Sequence, residues 1–324
     1  MHTIDFLQNK IKDAVFSLEF ERQPVELYEP IKFALSQGGK RIRPLLTLMA
    51  CDMFEGDIDK ALYPAIGLEI FHNFTLLHDD IMDQSPIRRG RETVYKKWNA
   101  NIALLSGDTM FAIAFEYLIK TNPDHLTDIL QVFNQTAIEV CEGQQYDMNF
   151  ESATVVSIAD YMEMIRLKTA VLIAACLKIG ALIAKTTTEN IHHIHQFGLN
   201  LGIAFQLQDD LLDVFSDVDK FGKRTGNDIA TNKKTYLFLK ALELANEEQK
   251  KALTLYFSQA VTNEGEKINK VTEIYHQLGI KAIAENEMGI YYRKAISCLD
   301  AIDVKERKKQ TFIDFAESLM KREN

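Results

Sequence analysis

The chain has 324 residues, of which 47% are hydrophobic and 26% charged, enough apolar material for one large buried core or for two ordinary ones. Its 37 basic and 46 acidic residues give a formal net charge of −9, which argues against general binding to nucleic acid or to anionic membrane surfaces. Any phosphate binding must therefore come from local clusters of positive charge. The 4 cysteines are scattered without a C-x-x-C pair, which argues against a disulfide framework and a cysteine zinc site.

No segment has the form of a signal peptide or of a membrane span. The first twenty residues mix charged and apolar residues at helical spacing. The most apolar run, 169–184, has only sixteen residues and contains Lys178, so it is too short and too charged to cross a bilayer. We therefore expect a cytoplasmic protein without stable membrane anchoring and without a nucleic-acid partner.

Apolar residues recur at spacings of three and four along most of the chain, which predicts helices. The pattern is clear at 62–82, 126–148 and 194–215, and no alternating run is long enough to predict a strand. Several segments are apolar over most of their circumference, which predicts central helices surrounded by others. No proline follows Pro123, and no low-complexity linker marks a domain boundary. The sequence therefore predicts an all-α fold of ten or more helices, with residues 1–324 in a single domain.

A Gly-Gly turn precedes the first cluster of positive charge. In "GGKRIRP" (38–44), Lys40 and Arg43 lie three positions apart on the expected first turn of a helix, with Arg41 between them. A helix N-terminus presents free backbone N–H groups, and these attract an anion. This segment is therefore a candidate phosphate-binding site.

An acidic motif of the form D-D-x-x-D occurs twice. The first acidic motif is Asp79, Asp80 and Asp83 in "LLHDDIMD", and the second acidic motif is Asp209, Asp210 and Asp213 in "QLQDDLLDVF". In a helix, positions i and i+4 share a face, and position i+1 lies roughly 100° round the axis. Six carboxylates directed at one cavity would repel one another unless cations lay between them. A single such motif is more often a solvated helix turn, but two copies among core-spaced apolar residues favour a cation site.

The residues around these motifs suit a diphosphate. Oxygen ligands without histidine or cysteine select a hard cation, Mg²⁺ or Mn²⁺, and Mg²⁺ usually keeps waters and substrate phosphates as ligands. Arg88 and Arg89 follow the first motif, and the arginine fork matches phosphate oxygens. Four lysines accompany the second motif: Lys168, Lys220, Lys223 and Lys233. The sequence therefore predicts a metal-bridged diphosphate site.

Five segments together resemble a known family. They are "GGKRIRP", "HNFTLLHDDIMDQSPIRRG", "GQQYDM", "KTA" and "FQLQDDLLDVFSDVDKFGKRTGNDI", in the family's order between residues 38 and 229. They resemble the trans-isoprenyl diphosphate synthases, which include farnesyl and geranylgeranyl diphosphate synthases. The resemblance implies an all-α fold of the isoprenoid synthase type, with central helices around a deep cavity, and a homodimer. It also implies a Mg²⁺-dependent prenyltransferase that condenses isopentenyl diphosphate head to tail (1′-4) with allylic diphosphates by ionisation, condensation and elimination.

The resemblance further implies a role for each matching residue. Three Mg²⁺ ions, or Mn²⁺ in their place, would be held by Asp79, Asp83 and Asp209, with Asp80, Asp210 and Asp213 in support. Isopentenyl diphosphate would be bound by Lys40, Arg43, His72 and Arg89. The allylic diphosphate would be bound by Arg88, Lys168, Lys223 and Lys233. The allylic cation would be stabilised by dipoles of Thr169, Gln206 and the main-chain carbonyl of Lys168. Asp147 would orient Lys168, and the departing pyrophosphate would take the proton.

Residues before the first acidic motif predict the product length. Phe74 lies five positions before Asp79, about 7.5 Å along a helix at 1.5 Å per residue. A ring there would form a floor under a short chain, with Phe71 as a second floor one turn away. The small Thr75 and the uninterrupted "DDIMD" resemble enzymes that make the C20 product, geranylgeranyl diphosphate. Farnesyl diphosphate (C15) is the alternative, followed by longer polyprenyl products, and Phe74 as an ordinary core residue is another interpretation.

Two other classes share parts of this pattern. Terpene cyclases also combine an all-α fold with a D-D-x-x-D motif, but they usually carry a different second metal motif and need no second diphosphate pocket. Non-catalytic subunits of two-component synthases typically lack one of the acidic motifs. Both motifs are present here together with Lys40, Arg43 and His72, and this favours the catalytic synthase.

Overall fold

The computed structural model describes residues 2–121, 123–216, 225–258 and 263–321. In these ranges the chain is almost entirely helical, which confirms the all-α prediction. The α-helices are α1 (Ile4–Phe16), α2 (Val25–Ser36), α3 (Ile42–Met53), α4 (Ile58–Met82), α5 (Val94–Lys97), α6 (Ala100–Leu118), α7 (Pro123–Ser152), α8 (Ile158–Ile165), α9 (Val171–Ile183), α10 (Thr188–Phe215), α11 (Asn227–Ala230), α12 (Tyr236–Leu244), α13 (Glu247–Tyr256), α14 (Glu264–Gln277), α15 (Ile280–Asp300) and α16 (Glu306–Met320). A π-helical turn, Arg166–Ala170, joins α8 to α9 and is called the π segment below. None of the helices in the described ranges is long and apolar enough to span a bilayer.

A short hairpin follows α4, where the sequence predicted no strand. β1 (Ile87–Arg88) pairs in antiparallel fashion with β2 (Arg91–Glu92). The two connecting residues, Arg89 and Gly90, have φ angles of 52° and 74°, as in a two-residue type I′ turn. Strands of two residues are too short to give an alternating pattern, so periodicity could not reveal them.

Contacts divide the chain into two compact units. The first unit comprises residues 1–134 and 175–194, and the second unit comprises residues 135–174 and 195–324. The interpretation of residues 1–324 as a single domain stays a prediction.

The central helix of the first unit is α4. It packs against α3 and α6, and its middle turns are buried in several directions round the axis. Leu68, Ile70 and Phe71 are each 0% exposed. The helix begins after Asp57, whose carboxylate accepts a hydrogen bond from the N–H of Asp59 and so caps the N-terminus. This burial is what the sequence pattern predicts for a helix that is apolar over most of its circumference.

The core of the second unit is built from α8, α12, α14 and the C-terminal part of α10. Each helix contributes buried side chains to this core, for example Tyr161 from α8, Leu207 from α10, Leu237 from α12 and Tyr275 from α14. α8 starts at a capping box, in which the Ser157 hydroxyl accepts from the Asp160 N–H and the Asp160 carboxylate accepts from the Ser157 N–H. This cap fixes the start of α8 and therefore the positions of Tyr161 and of the π segment that follows.

Candidate active site

The first acidic motif forms the C-terminal end of α4. Asp79 and Asp80 lie in the last turn, and the N–H of Asp83 donates to the Asp79 carbonyl over 2.8 Å where the helix ends. Asp80 is only 5% exposed, whereas Asp79 is half-buried and Asp83 is exposed. The first and last carboxylates therefore face outward one turn apart and the middle one faces inward, as the helical spacing predicts.

Arg88, from the hairpin, binds this motif. Its Nε donates to Asp80 Oδ1 over 2.7 Å, and its Nη2 donates to Asp79 Oδ2 over 3.2 Å. Burial raises the pKa of Asp80 to about 6, although the Arg88 guanidinium opposes the rise. The arginine thus supplies positive charge to two carboxylates that repel each other. Its contact with an allylic diphosphate stays a prediction, and would use its remaining N–H groups or those released from Asp79.

α3 begins later than the sequence analysis placed it. Its first residue is Ile42, and Arg41 precedes it in the left-handed region with φ 46°. Arg43 lies in the first turn, whereas Lys40 is exposed and lies before the helix. The prediction that Lys40 and Arg43 share the first helical turn is therefore wrong. The reason is the preceding glycine pair, whose φ angles of 80° and 118° hold the chain out of a helix.

His72 on α4 contacts Arg43 on α3. Arg43 Nη1 donates to His72 Nε2 over 3.0 Å. Burial lowers the pKa of His72 well below its usual 6.5, and the charges of Arg43, Arg89 and Arg88 lower it further. The imidazole is therefore neutral at physiological pH and acts as an acceptor that orients the Arg43 guanidinium.

Four arginines of the first unit lie close together. This arginine cluster consists of Arg41, Arg43, Arg88 and Arg89. Arg89 donates to the Gly38 carbonyl, and its guanidinium lies 2.8 Å from where a Cβ on Gly39 would be. Burial lowers the pKa of Arg89, Glu69 opposes this effect, and the three other arginines reinforce it. Four guanidinium groups this close to one another form a strong anion-binding surface.

Glu69 supports this cluster, and the sequence analysis missed it. It is 2% exposed and accepts hydrogen bonds from Arg41 Nη1 and, over 3.0 Å, from Asn73 Nδ2. A buried carboxylate is costly unless it is paired, so Glu69 and Arg41 hold each other in place. The available signal was a lone acidic residue three positions before His72 in an apolar helix.

In the second unit, Lys168 lies in the π segment and pairs with Asp147 on α7. Lys168 Nζ donates to Asp147 Oδ2 over 2.6 Å. Burial raises the pKa of Asp147, but Lys168 and Lys233 outweigh it, so that the pKa is lowered overall. A Cβ on Gly143 would lie 2.3 Å from the backbone nitrogen of Lys168, so the backbone of α7 packs directly against the π segment. Asp147 is one helical turn beyond Gly143 and therefore reaches Lys168.

Thr169 and Gln206 come together in the same way. A Cβ on Gly202 would lie 2.6 Å from Ala170 Cα, so α10 also packs closely on the π segment. Gln206 is one turn beyond Gly202, and its Oε1 accepts from Thr169 Oγ1 over 3.1 Å. Two glycines thus bring two neighbouring helices onto one π-helical turn, a feature that is frequent at functional sites.

The middle residue of the second acidic motif is also buried. Asp210 is 3% exposed, its Oδ2 accepts from the Tyr161 hydroxyl, and its Oδ1 accepts from Gln206 Nε2 over 3.3 Å. Burial raises the pKa of Asp210 well above its usual 3.8, the Asp228 carboxylate adds to the rise, and the two donors oppose it. Asp209 is half-buried, so the two motifs show the same division between an inner and an outer carboxylate.

Asp228 is a second residue that the sequence analysis missed. Its N–H donates over 2.9 Å to Oδ2 of Asp213, the last carboxylate of the second motif. Burial and the Asp213 carboxylate raise the pKa of Asp228 to about 7, while Lys233 opposes the rise. In the sequence, Asp228 could have been recognised from "GND" (226–228), which lies near the end of the last of the five segments that resemble the family. Lys223 and Lys220 lie outside the described residues.

Phe71 and Phe74, the predicted chain-length residues, belong to an aromatic cluster. Phe74 packs on Phe111 with ring centroids 5.4 Å apart, and Phe71 packs on Phe133 with centroids 5.1 Å apart. The Thr75 hydroxyl donates over 2.8 Å to the carbonyl three residues earlier in its own helix. The first unit therefore has a wall of rings one to two turns before the first acidic motif. Control of product length by this wall stays a prediction.

The donor set fits the predicted cation. Among the described residues, no three Asp, Glu, His or Cys side chains converge into a metal site on their own. Asp79, Asp83 and Asp209 are all at least partly exposed and offer only oxygen. This arrangement suits Mg²⁺, which binds one or two carboxylates and completes its coordination with water and substrate phosphate. The number of ions stays a prediction.

Known proteins resemble this chain over most of its length. A sequence model described as polyprenyl synthetase matches residues 24–278. A geranylgeranyl diphosphate synthase of Sulfolobus acidocaldarius is 36% identical over 92% of this chain and 90% of its own. A geranylfarnesyl diphosphate synthase of Natronomonas pharaonis is 37% identical over 68% of this chain and 70% of its own. A crystal structure of a geranylgeranyl pyrophosphate synthase superposes with a TM-score of 0.95 at 40% identity, covering 100% of both chains.

Proposed function

Because the chain belongs to the polyprenyl synthetase family, we propose that it condenses isopentenyl diphosphate with allylic diphosphates to give a short all-trans prenyl diphosphate. The observation that carries this proposal is the pairing, within the first unit, of an acidic motif with the arginine cluster. The carboxylates suit metal ions on one diphosphate, and the arginines suit the oxygens of a second. A terpene cyclase would need only one diphosphate site.

Cleavage of the allylic C–O bond leaves negative charge on the pyrophosphate. Bound Mg²⁺ would neutralise part of that charge. We assign Lys168 and Lys233 to the leaving oxygens. Asp147 holds Lys168 Nζ at 2.6 Å, so the ammonium group needs little reorganisation during the step. The carboxylates that would hold the ions are Asp79, Asp83 and Asp209.

The arginine cluster would anchor isopentenyl diphosphate. Its double bond is a neutral nucleophile, so the position of the reacting carbon depends on how firmly the diphosphate is held. Arg43 and Arg89 are both fixed by protein acceptors, His72 Nε2 and the Gly38 carbonyl respectively. Lys40, exposed in the adjoining turn, would add charge at the edge of this site.

The second unit supplies the environment for the allylic cation. The Gln206 carbonyl oxygen, the Thr169 hydroxyl oxygen and the main-chain carbonyl of Lys168 would present partial negative charge to it. Closure around the hydrocarbon would keep water from capturing the cation before the double bond attacks. We assign the final proton to the departing pyrophosphate, which needs no dedicated side-chain base.

We propose geranylgeranyl diphosphate (C20) as the end product. Phe74 and its aromatic neighbours support a short product, and the Sulfolobus relative is named a geranylgeranyl diphosphate synthase. The Natronomonas relative is named a geranylfarnesyl diphosphate synthase, so C25 is an alternative alongside C15.

The experiment is incubation of the purified chain with Mg²⁺, labelled isopentenyl diphosphate and, separately, C5, C10 and C15 allylic diphosphates. Products are dephosphorylated and sized by chromatography. We expect a C20 alcohol from each starter, and no product when EDTA replaces Mg²⁺. Absence of condensation with every starter would refute the function, whereas a C15 or C25 end point would keep the reaction and correct the length.

Two substitutions on the same helix serve as test and control. Asp79→Asn should lower the rate by more than about 100-fold, since it removes a proposed ligand of the leaving-group metal. Asp59→Asn, in the first turn of α4 with its side chain 75% exposed, should leave the rate unchanged. Equal activity of the two variants would contradict the role of the first acidic motif.

A further inference from the structure

Tyr161 on α8 makes a buried polar contact that none of the assignments above uses. The residue is 3% exposed, and its hydroxyl donates to Asp210 Oδ2. The two residues are 49 positions apart in the chain, so the contact depends on the packing of α8 against α10.

This contact is the first link in a chain of hydrogen bonds. Asp210 Oδ1 accepts from Gln206 Nε2 over 3.3 Å, and Gln206 Oε1 accepts from Thr169 Oγ1 over 3.1 Å. We call the series Tyr161–Asp210–Gln206–Thr169 the relay. All four residues belong to the second unit.

The relay fixes which way the Gln206 amide points. Asp210 Oδ1 accepts from the amide NH₂ of Gln206 and the amide oxygen accepts from the Thr169 hydroxyl, so the NH₂ faces Asp210 and the oxygen faces Thr169. The reversed amide would set its oxygen against the carboxylate oxygen and leave the Thr169 hydroxyl opposite an NH₂ group. Because the Tyr161 hydroxyl engages the other oxygen of Asp210, it holds the carboxylate in the rotamer that makes this selection.

Building on the proposed function, we propose that Tyr161 is a positioning residue for prenyl transfer, which acts through Asp210 to aim the Gln206 carbonyl and the Thr169 hydroxyl oxygen at the allylic cation. A fixed dipole of this kind stabilises charge that develops in the transition state and costs no reorganisation when it does so. Asp210 belongs to this relay, with each of its oxygens engaged by a protein donor.

The test is Tyr161→Phe, which removes the hydroxyl and keeps the ring that packs in the core. Its matched control is Tyr236→Phe, a second buried tyrosine of the same core, 4% exposed. We expect Tyr161→Phe to lower kcat by about 10-fold or more, with KM for both diphosphates within about twofold of the original chain. We also expect a larger share of the allylic diphosphate to end as the hydrolysed alcohol. The control should show none of these changes at a similar melting temperature.

A double-mutant cycle separates positioning from loss of packing. In a Gln206→Met background the group that Tyr161 aims is absent, so adding Tyr161→Phe should lower kcat by less than about twofold. Full additivity of the two changes, or a Tyr161→Phe variant with unchanged kcat and unchanged partition to alcohol, would overturn the proposal. If the unsubstituted chain makes no prenyl diphosphate, the proposed function is refuted, and the positioning role of Tyr161 is refuted with it. An active parent with an equally active Tyr161→Phe variant refutes the relay alone.

Discussion

At the scale of single residues, the two acidic motifs divide their carboxylates in the same way. Asp80 and Asp210, the middle residues, are 5% and 3% exposed, whereas their outer neighbours are half-buried or exposed. The inner carboxylates have different partners, an arginine in the first unit and a tyrosine in the second. The shared D-D-x-x-D pattern therefore gives the outer aspartates a similar exposure and the inner ones different buried partners, because position i+1 points roughly 100° away from i and i+4.

His72 predicts a pH dependence of stability. Its pKa in the folded chain is lowered well below 6.5 by burial and by Arg43. The unfolded chain then binds more protons than the folded chain below pH 6.5, so this residue's contribution to stability is complete above pH 6.5 and declines as the pH falls. The slope should approach about 1.4 kcal/mol per pH unit.

The measurement is denaturant unfolding of the unsubstituted chain and of His72→Gln between pH 5 and pH 7. Glutamine is neutral throughout and can still accept from Arg43. The difference in unfolding free energy between the two should change below pH 6.5 and be flat above it. A difference that is independent of pH would show that His72 titrates alike in both states.

Phe74 predicts a change in product length. Phe74→Ala removes the ring that packs on Phe111, and so opens space one turn before the first acidic motif. The main product should lengthen by one or more C5 units, as sized by chromatography of the alcohols. Ile87→Ala, an exposed apolar residue of the hairpin, is the control and should leave the length unchanged. Unchanged product length in Phe74→Ala would place the floor elsewhere.

At the scale of elements, the π segment is the point on which two helices of the second unit converge. Gly143 of α7 and Gly202 of α10 let backbone meet backbone there, and one turn beyond each glycine stands the side chain that contacts the segment. Neither helix could approach as closely with a Cβ at these positions. The contacts of Lys168 and Thr169 therefore depend on glycine at positions 143 and 202.

Gly143→Ala tests this arrangement. The added Cβ would lie 2.3 Å from the Lys168 backbone nitrogen, so α7 must shift away. We expect a loss of about 1–3 kcal/mol in unfolding free energy and of about 10-fold or more in kcat, because Asp147 no longer reaches Lys168 at hydrogen-bonding distance. Denaturant unfolding and steady-state rates measure the two effects.

Gly265→Ala is the matched control. Gly265 lies in α14, and the nearest atom to its added Cβ is 3.7 Å away. Alanine there should raise stability by up to about 1 kcal/mol, since it lowers the entropy of the unfolded chain, and should leave the rate unchanged. Similar losses in both variants would mean that glycine at 143 serves flexibility and not close approach.

The sequence was sufficient to predict the features that follow from helical spacing or from the family's motifs. Helical spacing alone placed Asp79 and Asp83 on one face, and the family resemblance paired Asp147 with Lys168. The start of α3 was misplaced because cap geometry depends on the positive φ angles of Gly38 and Gly39, which a periodicity argument does not register. Tyr161 was missed because its partner is 49 positions away and only packing brings the two together.

At the scale of the whole molecule, α6 carries an exposed apolar stripe. Leu105 is 59% exposed, Phe115 is 40% exposed, and Ile119 at the end of the helix is 46% exposed. Ile119 lies 14 positions after Leu105 and four after Phe115, so at about 100° per residue the three side chains fall within roughly 80° of the helix circumference. Single exposed apolar residues are ordinary, but a stripe along one helix marks an interaction surface. The symmetrical pairing of two α6 helices would cover it, so we predict a homodimer.

Sedimentation velocity measures the assembly directly. The unsubstituted chain should sediment with twice the mass of one chain. Phe115→Glu should shift the chain towards monomer, because the interface would then bury a charge on each side. Val155→Glu, at an apolar residue that is 85% exposed between α7 and α8, should stay dimeric. A Phe115→Glu variant that remains dimeric would place the interface away from α6.

The contact between Arg88 and Asp79 has a consequence for the order of events during turnover. The arginine is a counterion for Asp79, and the metal ion that we propose there would compete with it for the carboxylate. A diphosphate that draws Arg88 away would free that oxygen, and an ion at Asp79 would in turn free Arg88 for the diphosphate. With both ligands bound as proposed, each would raise the affinity for the other by an equal factor. On this proposal the chain alone should hold the ion weakly, and the diphosphate and the metal ion should bind together.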